Sequence, residues 1–213
     1  MRLDPDAMRQ GTPLLADRAH LEFFNDRGLG LGSLLDAVFA RNVRDYLEVE
    51  NSLKALFPSV AGFRLFTEND RRQVGVRLVN GTEIRPEHMS EGMLYFLAFS
   101  LLPLLRPVSL VLVEEPENGL HPARIAEVMK VLRKVSETTQ VVLATHSPLV
   151  INEMQPEEVT LVTRTAEEGT CFTPIAKTTN FDARSKTYAL GELWLSYADG
   201  KTEARLSPVG GAK

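Results

Sequence analysis

Glu114 and Glu115 stand side by side at the end of an uncharged run, Leu110 to Val113, and His146 stands just beyond a second run, Val141 to Leu143. Both runs are short and β-branched, as parallel strands buried on both faces are. Ligands of a parallel sheet bind just past the carboxyl ends of its strands, so two acids and a histidine are expected to point at one crevice. Carboxylates placed there can hold a divalent cation or take a proton from water, and a histidine can donate to a developing charge. Upstream, Ser90-Glu91-Gly92-Met93 puts a hydroxyl and a bare glycine at an exposed helix start, which suits an anion. A metal site built from Glu114, Glu115, Glu117, His121 and His146, as in a nuclease or another hydrolase, is the competing chemistry. Such sites usually show ligands at i, i+4 on a helix, or H-x-x-x-H or D-x-D pairs. None of these patterns occurs among those five residues.

The elements that must position these residues follow from periodicity and punctuation. Residues 1–27 are mixed and interrupted by Pro and Gly, and read as irregular or as a helix remnant. Gly28, Gly30 and Gly32 read as a turn into a helix from Ser33. Leu34, Leu35, Val38 and Phe39, then Tyr46, Leu47, Leu53, Leu56 and Phe57, predict two helices or one kinked helix ending before Pro58. Phe63 to Thr67 and Gln73 to Val79 alternate as strands, and Asn80-Gly81 turns the chain into a short strand at Thr82 to Arg85, giving a small antiparallel sheet. Ser90 is the expected N-cap of a helix through Leu102. A strand over Ser109 to Val113 follows, then a helix opened by His121-Pro122 with Ile125, Val128, Met129, Leu132 and Val135 as its buried stripe, then a strand over Val141 to Leu143. That is a βαβ unit. Val159 to Arg164 and Thr170 to Ile175 read as two strands flanking Glu167-Glu168-Gly169. A last helix is expected over Ser185 to Tyr197 with the only tryptophan, Trp194, and the tail Gly210 to Lys213 as disordered.

Taken together, SEGM at Ser90 to Met93, LVLVEEPENGLHP at Leu110 to Pro122 and VVLATHSP at Val141 to Pro148 resemble the signature motif, the Walker B strand with its D-loop, and the switch-histidine loop of ABC-type ATPases. They are most similar to the soluble RecF/SMC/OLD-like branch within the AAA family. Ser90 lies 24 positions before Glu114 and His146 lies 31 after Glu115, an order and spacing that fit. The likeness is specific over Arg85 to Ile151 and weaker elsewhere; Gly191 to Trp194 is similar to a Gly-Glu-Leu-Trp common in that branch. The resemblance implies an α/β, P-loop NTPase-like ABC ATPase lobe with a small antiparallel insertion, and ATP and Mg²⁺ as ligands. Glu114 would hold the metal, where the ABC pattern usually has Asp, and Glu115 would align the attacking water or take its proton. His146 would sense the γ-phosphate. Ser90, Glu91 and Gly92 would grip the nucleotide of an opposite subunit, and the D-loop, Glu117 to His121, would reach across with Asn118 among the nucleotide contacts. A plain N-cap is the other role for His121. The implied partners are ATP and a homodimer or complementary ATPase half, and by analogy alone a DNA-related or phage-defence process.

The phosphate-wrapping pattern G-x-x-x-x-G-K-[ST] does not occur in the 213 residues. Gly28, Gly30 and Gly32 come nearest, with neither the Lys-Ser or Lys-Thr nor the preceding apolar strand. The chain therefore resembles the C-terminal half of such an ATPase, incomplete on its N-terminal side. Residues 1–85 would be the helices and small sheet ahead of the signature motif, and 86–213 the C-terminal part of the core. A truncated, non-catalytic half kept for dimerisation is the alternative. A metal-dependent nuclease is the more remote one, since past residue 150 the aspartates are Asp182 and Asp199, isolated and late.

At 213 residues and 44% hydrophobic, the chain can bury a sizeable core as one domain, or as one with a small appendage. A net charge of −4 gives no bulk attraction to nucleic acid or anionic membrane. Arg71-Arg72 and the Lys130/Arg133/Lys134 cluster could touch phosphates, and solvated surface is the plainer role for both. The single cysteine, Cys171, suits a reducing compartment, and no signal-peptide pattern opens the chain, so a cytoplasmic protein is expected. The apolar stretch Met93 to Leu105 is 13 residues long, too short to span a bilayer, and reads as a core helix.

Overall fold

The computed structural model describes residues 1–165 and 169–197 of the chain. It divides into two compact units, Met1 to Ala144 and a second beginning at Thr145. The fold is mixed α/β, a P-loop NTPase-like lobe with small antiparallel sheets.

The first unit opens with α1 (Pro5–Arg9), capped by Asp4, whose carboxylate accepts from Asp6 N and Ala7 N. Strand β1 (Thr12–Pro13) follows. Helices α2 (Leu31–Arg41) and α3 (Val43–Leu56) are separate, because Asn42 leaves the helical region and caps α3 through Arg44 N. The glycine turn before α2 has a steric reason. Gly30 is left-handed at φ 100°, and a Cβ on Gly32 would lie 2.7 Å from the Gln73 backbone, so only glycine lets α2 meet the sheet this closely.

That sheet is β2 (Val60–Glu68), β3 (Arg71–Leu78) and β4 (Glu83–Ile84), with β1. Strand β3 is central; β2 pairs antiparallel along one edge, and β1 and β4 share the other. Val74 and Val76 are buried beneath α2 together with Leu31, Leu34 and Leu35. A buried hydroxyl pair, Thr12 Oγ1 to Ser33 Oγ at 2.7 Å, satisfies both side chains inside this layer.

Helix α4 (Glu91–Leu101) is buried nearly all round, from Leu94 to Leu101, which is why its apolar stretch shows no polar face. It packs on α1, α3 and α5 (Pro122–Ser136). The inward stripe of α5 is Ile125, Val128, Met129, Leu132 and Val135, as its spacing predicts. Strands β5 (Leu110–Glu114) and β6 (Gln140–Ala144) flank α5 in sequence and pair in parallel, Leu110 beside Gln140 through Glu114 beside Ala144. The βαβ unit is therefore present.

Burial of both faces of these strands is not. The face bearing Val113, which is 2% exposed, is the covered one, and α5 packs on β6. On the opposite face Leu110, Leu112 and Val142 are 45%, 54% and 45% exposed. Among the described residues this sheet has two strands, and no layer covers its second face. Met1 runs beside β5: its amino group donates to Leu112 O, and Glu114 N donates to Met1 O at 3.0 Å.

The second unit holds α6 (Pro148–Asn152), the antiparallel hairpin β7 (Thr160–Thr165) and β8 (Gly169–Pro174), α7 (Phe181–Arg184) and α8 (Leu190–Tyr197). Leu161, Ile175, Phe181 and Leu193 form its small core. The helix expected over Ser185 to Tyr197 is two pieces. Glu192 accepts from Ala189 N at 2.9 Å and fixes the start of α8 at Leu190, while residues 185–188 form the turn after α7. The expected disorder of Gly210 to Lys213 concerns residues outside those described, as does Glu167-Glu168. Among the described residues no helix is long and apolar enough to cross a membrane.

Candidate functional site

Glu114 is the last residue of β5 and lies on the uncovered face with Leu110 and Leu112. Arg2 Nη1 approaches its Oε2 to 4.0 Å, with both side chains largely exposed, so the pair contributes little. At Glu115 the chain turns sharply. Its φ is 47°, in the left-handed region that costs a non-glycine residue of order 1–3 kcal/mol. Two backbone bonds hold it there: Glu115 N donates to Ala144 O at 2.8 Å, extending the β5–β6 ladder by one, and Glu115 O accepts from Asn118 N at 2.9 Å. The turn re-aims the chain at the strand's carboxyl end, so successive side chains no longer alternate across the sheet.

The segment Glu115 to Leu120, which holds most of the expected D-loop, is a pair of overlapping turns. Leu120 N donates to Glu117 O at 3.0 Å, Gly119 sits at φ 67°, and Asn118 is exposed. His121 Nδ1 accepts from Ala123 N at 3.2 Å, so this histidine is a helix cap. Mg²⁺ is commonly held by one or two carboxylates plus phosphate oxygens. Glu114, exposed at a strand end beside a second acid, fits that need without a third protein ligand. Among the described residues no three potential metal ligands gather.

Ser90 Oγ accepts from Met93 N at 3.3 Å and caps α4; Ser90 and Glu91 are exposed. Gly92 departs from expectation: it is buried, and its lack of a side chain serves packing. A Cβ there would lie 3.1 Å from Gly119 O and 3.8 Å from Arg124 Nη1. A Cβ on Gly119 would in turn lie 2.6 Å from the Tyr95 ring. The start of α4 and the loop Glu117 to His121 are thus pressed together through two glycines.

Two side chains that sequence reasoning passed over brace this contact. Tyr95 is buried and its hydroxyl donates to Leu3 O at 3.2 Å. Its phenol is pushed above the usual value, mainly by burial and then by the nearby Glu91 carboxylate. Arg124 donates to Leu56 O at 3.3 Å and stacks on Phe57 at 3.7 Å from the ring centroid. The only signal for Tyr95 was its place three residues after Gly92, on the same helical face.

His146 belongs to the second unit, exposed, two residues past the end of β6. Its ring lies 6.5 Å from that of Trp194. Helix α8 comes this near because Gly191 rests on α6. A Cβ at Gly191 would lie 2.2 Å from Pro148 O, and Gly191 N donates to Asn152 Oδ1 at 2.7 Å. The Gly-Glu-Leu-Trp segment is thereby the local support of the histidine loop.

Two solved SMC heads share this fold. An SMC head bound to the C-winged helix domain of ScpA matches with TM-score 0.54 at 14% identity, over 83% of this chain and 56% of that one. The SMC head with coiled coil and joint from Pyrococcus yayanosii matches with TM-score 0.51 at 16% identity, over 78% of this chain and 31% of that one. The SMC head domain from Thermotoga maritima gives TM-score 0.43 at 17% identity, over 66% of this chain and 50% of that one. The chain thus spans little more than half of each of these proteins, or less. No curated protein matches it. The family model described as "AAA domain, putative AbiEii toxin, Type IV TA system" matches residues 8–152, well over half of the sequence, and the chain belongs to that AAA-domain family.

Proposed function

We propose that this chain supplies the signature, Walker B and switch-histidine parts of an ATP-hydrolysing site at a head-to-tail dimer interface, and that another segment or chain supplies the phosphate loop. The observation that carries this reading is the β5–β6 pair. It ends in two adjacent acids, the second turned into the left-handed region, while its other face leaves Leu110, Leu112 and Val142 uncovered. Parallel sheets are normally covered on both sides, so the acids sit on an element built to receive more polypeptide. Family membership and the SMC-head fold support the same reading.

Mg²⁺, when bound, neutralises phosphate charge. Glu114 is the residue that would hold it. Glu115 orients the attacking water and accepts its proton, a contribution of typically ~10²–10⁴ in rate. His146 donates to the γ-phosphate. Ser90 and Glu91 present the start of α4, which Gly92 seats against Gly119, to a nucleotide seated on the opposite half, where the positive end of a helix favours an anion, and Asn118 reaches the same nucleotide from the loop Glu117 to His121.

The chain mixed with a phosphate-loop-bearing ATPase half is the test. Glu115→Gln keeps shape and hydrogen bonding and removes the base, so turnover should fall by ~10² or more while nucleotide still binds. Turnover within twofold of the parent assembly would refute the role. Titrated alone with Mg·ATP, the chain should bind at millimolar strength or weaker, about −4 kcal/mol.

A second reading, a non-catalytic half kept for dimerisation, is favoured by Ser90 and His121 acting as ordinary helix caps. It predicts that Glu115→Gln leaves assembly unchanged and that no mixture turns over ATP.

A further inference from the structure

A groove of about 540 Å³ runs between α3, α4 and α5 in the first unit, away from the acids and the signature loop. Asp45, Glu48, Ser52 and Leu56 line it at i, i+3, i+7 and i+11, one face of three turns, about 17 Å long at ~1.5 Å per residue. Its floor is apolar: Val49, Phe96, Leu104 and Val131. The opposite edge is Glu127, Lys130 and Lys134 on α5.

The two edges differ in charge. Asp45 and Glu48 make the α3 edge acidic. On α5, Lys130 meets Glu127 at 2.6 Å, which leaves Lys134 as the edge's net charge, and Lys134 forms no ion pair among the described residues. An apolar floor between an acidic and a basic edge selects an occupant with an apolar stripe, cations on one flank and an anion on the other. The length and openness of the groove, with Ser52 and Ala55 exposed on its margin, fit an elongated partner better than a small molecule, which a pocket usually encloses over 70% or more of its surface. The acidic edge disfavours nucleic acid.

We infer that this groove docks an amphipathic α-helix of a partner protein, its Lys/Arg flank against Asp45 and Glu48 and its acidic flank toward Lys134, in the manner of other helix-in-groove contacts. The inference stands apart from the ATP site and does not depend on it.

The probes are two labelled helical peptides of about 14 residues with the same leucine stripe. One carries Lys on one flank and Glu on the other; the second carries Glu on both. Fluorescence anisotropy with the full chain should show the Lys/Glu peptide binding at least tenfold tighter. Asp45→Lys with Glu48→Lys should reverse that preference. Ala55→Trp, which fills the groove from an exposed helical position, should weaken both peptides tenfold while the melting temperature holds. Equal affinity for both peptides, no binding of either, or indifference to Ala55→Trp overturns the inference. Concentration-dependent dimerisation of the chain that Ala55→Trp abolishes overturns it too, by making a second copy the occupant.

Discussion

The antiparallel sheet around β3 and the parallel pair β5–β6 lie in the same unit and are finished to different degrees. In the first, each buried valine meets a helix supplied a few dozen residues away: Val76 is 0% exposed beneath α2, and Gly32 lets that helix press onto the β3 backbone. In the second, the face bearing Val113 is covered and the other stays open with Leu112 at its centre. A half-covered apolar strand forgoes much of the ~1.5–3 kcal/mol that burial of each such side chain contributes. The difference teaches that the sheet around β3 is a self-sufficient scaffold, whereas the sheet that carries the acids keeps one apolar face open, the face that the proposed function assigns to the phosphate-loop-bearing half.

The comparison can be broken by cutting equal volumes from the two places. Leu34→Ala, in the layer over β3, should cost ~2–5 kcal/mol in urea unfolding because it leaves a cavity. Leu112→Ala should stay within about 0.5 kcal/mol, as a surface change does. Equal costs would mean that β5 is covered after all. Leu112→Lys sharpens the point: folding of the chain alone should be unchanged, while complementation by a phosphate-loop-bearing half should be lost.

Glu115→Gly separates strain from chemistry. It should stabilise the chain by roughly 1 kcal/mol by removing the left-handed penalty, while ending turnover in the completed assembly; a loss of stability would show that the Glu115 side chain, not the backbone, holds the turn.

The smallest effect lies in the scaffold. Burial, with Glu50 nearby, pushes the Tyr46 phenol up to about 12. A raised folded value means that the unfolded chain loses this proton first. The stabilisation is therefore fully present below the ordinary pH 10 of the phenol and lost as pH rises toward 12. Alkaline unfolding should show that slope, and Tyr46→Phe should flatten it.

Much of this molecule is local and was readable as such. The break between α2 and α3 is set by Asn42, the β3–β4 turn by Asn80-Gly81, the start of α4 by Ser90, and the buried stripe of α5 by its spacing. The motif segments are local too, each a short run, and the roles proposed for them rest on residue types and order. Three things were not readable. Burial of β5 and β6 on both faces was inferred from composition, but apolar composition reports what a strand can bury, and only the packing shows that one face has no partner. Gly92 looked like a bare helix start for an anion; that it is buried against Gly119, with Tyr95 and Arg124 around it, depends on a contact between segments 27 residues apart. The left-handed turn at Glu115 carries no sequence mark either, because the residue is not glycine. The sequence alone determined the elements and the order of the chemical groups, since those rest on nearest neighbours along the chain. The tertiary structure decided which faces are covered, which glycines are close contacts and where the backbone is strained, since those depend on residues distant in sequence meeting in space.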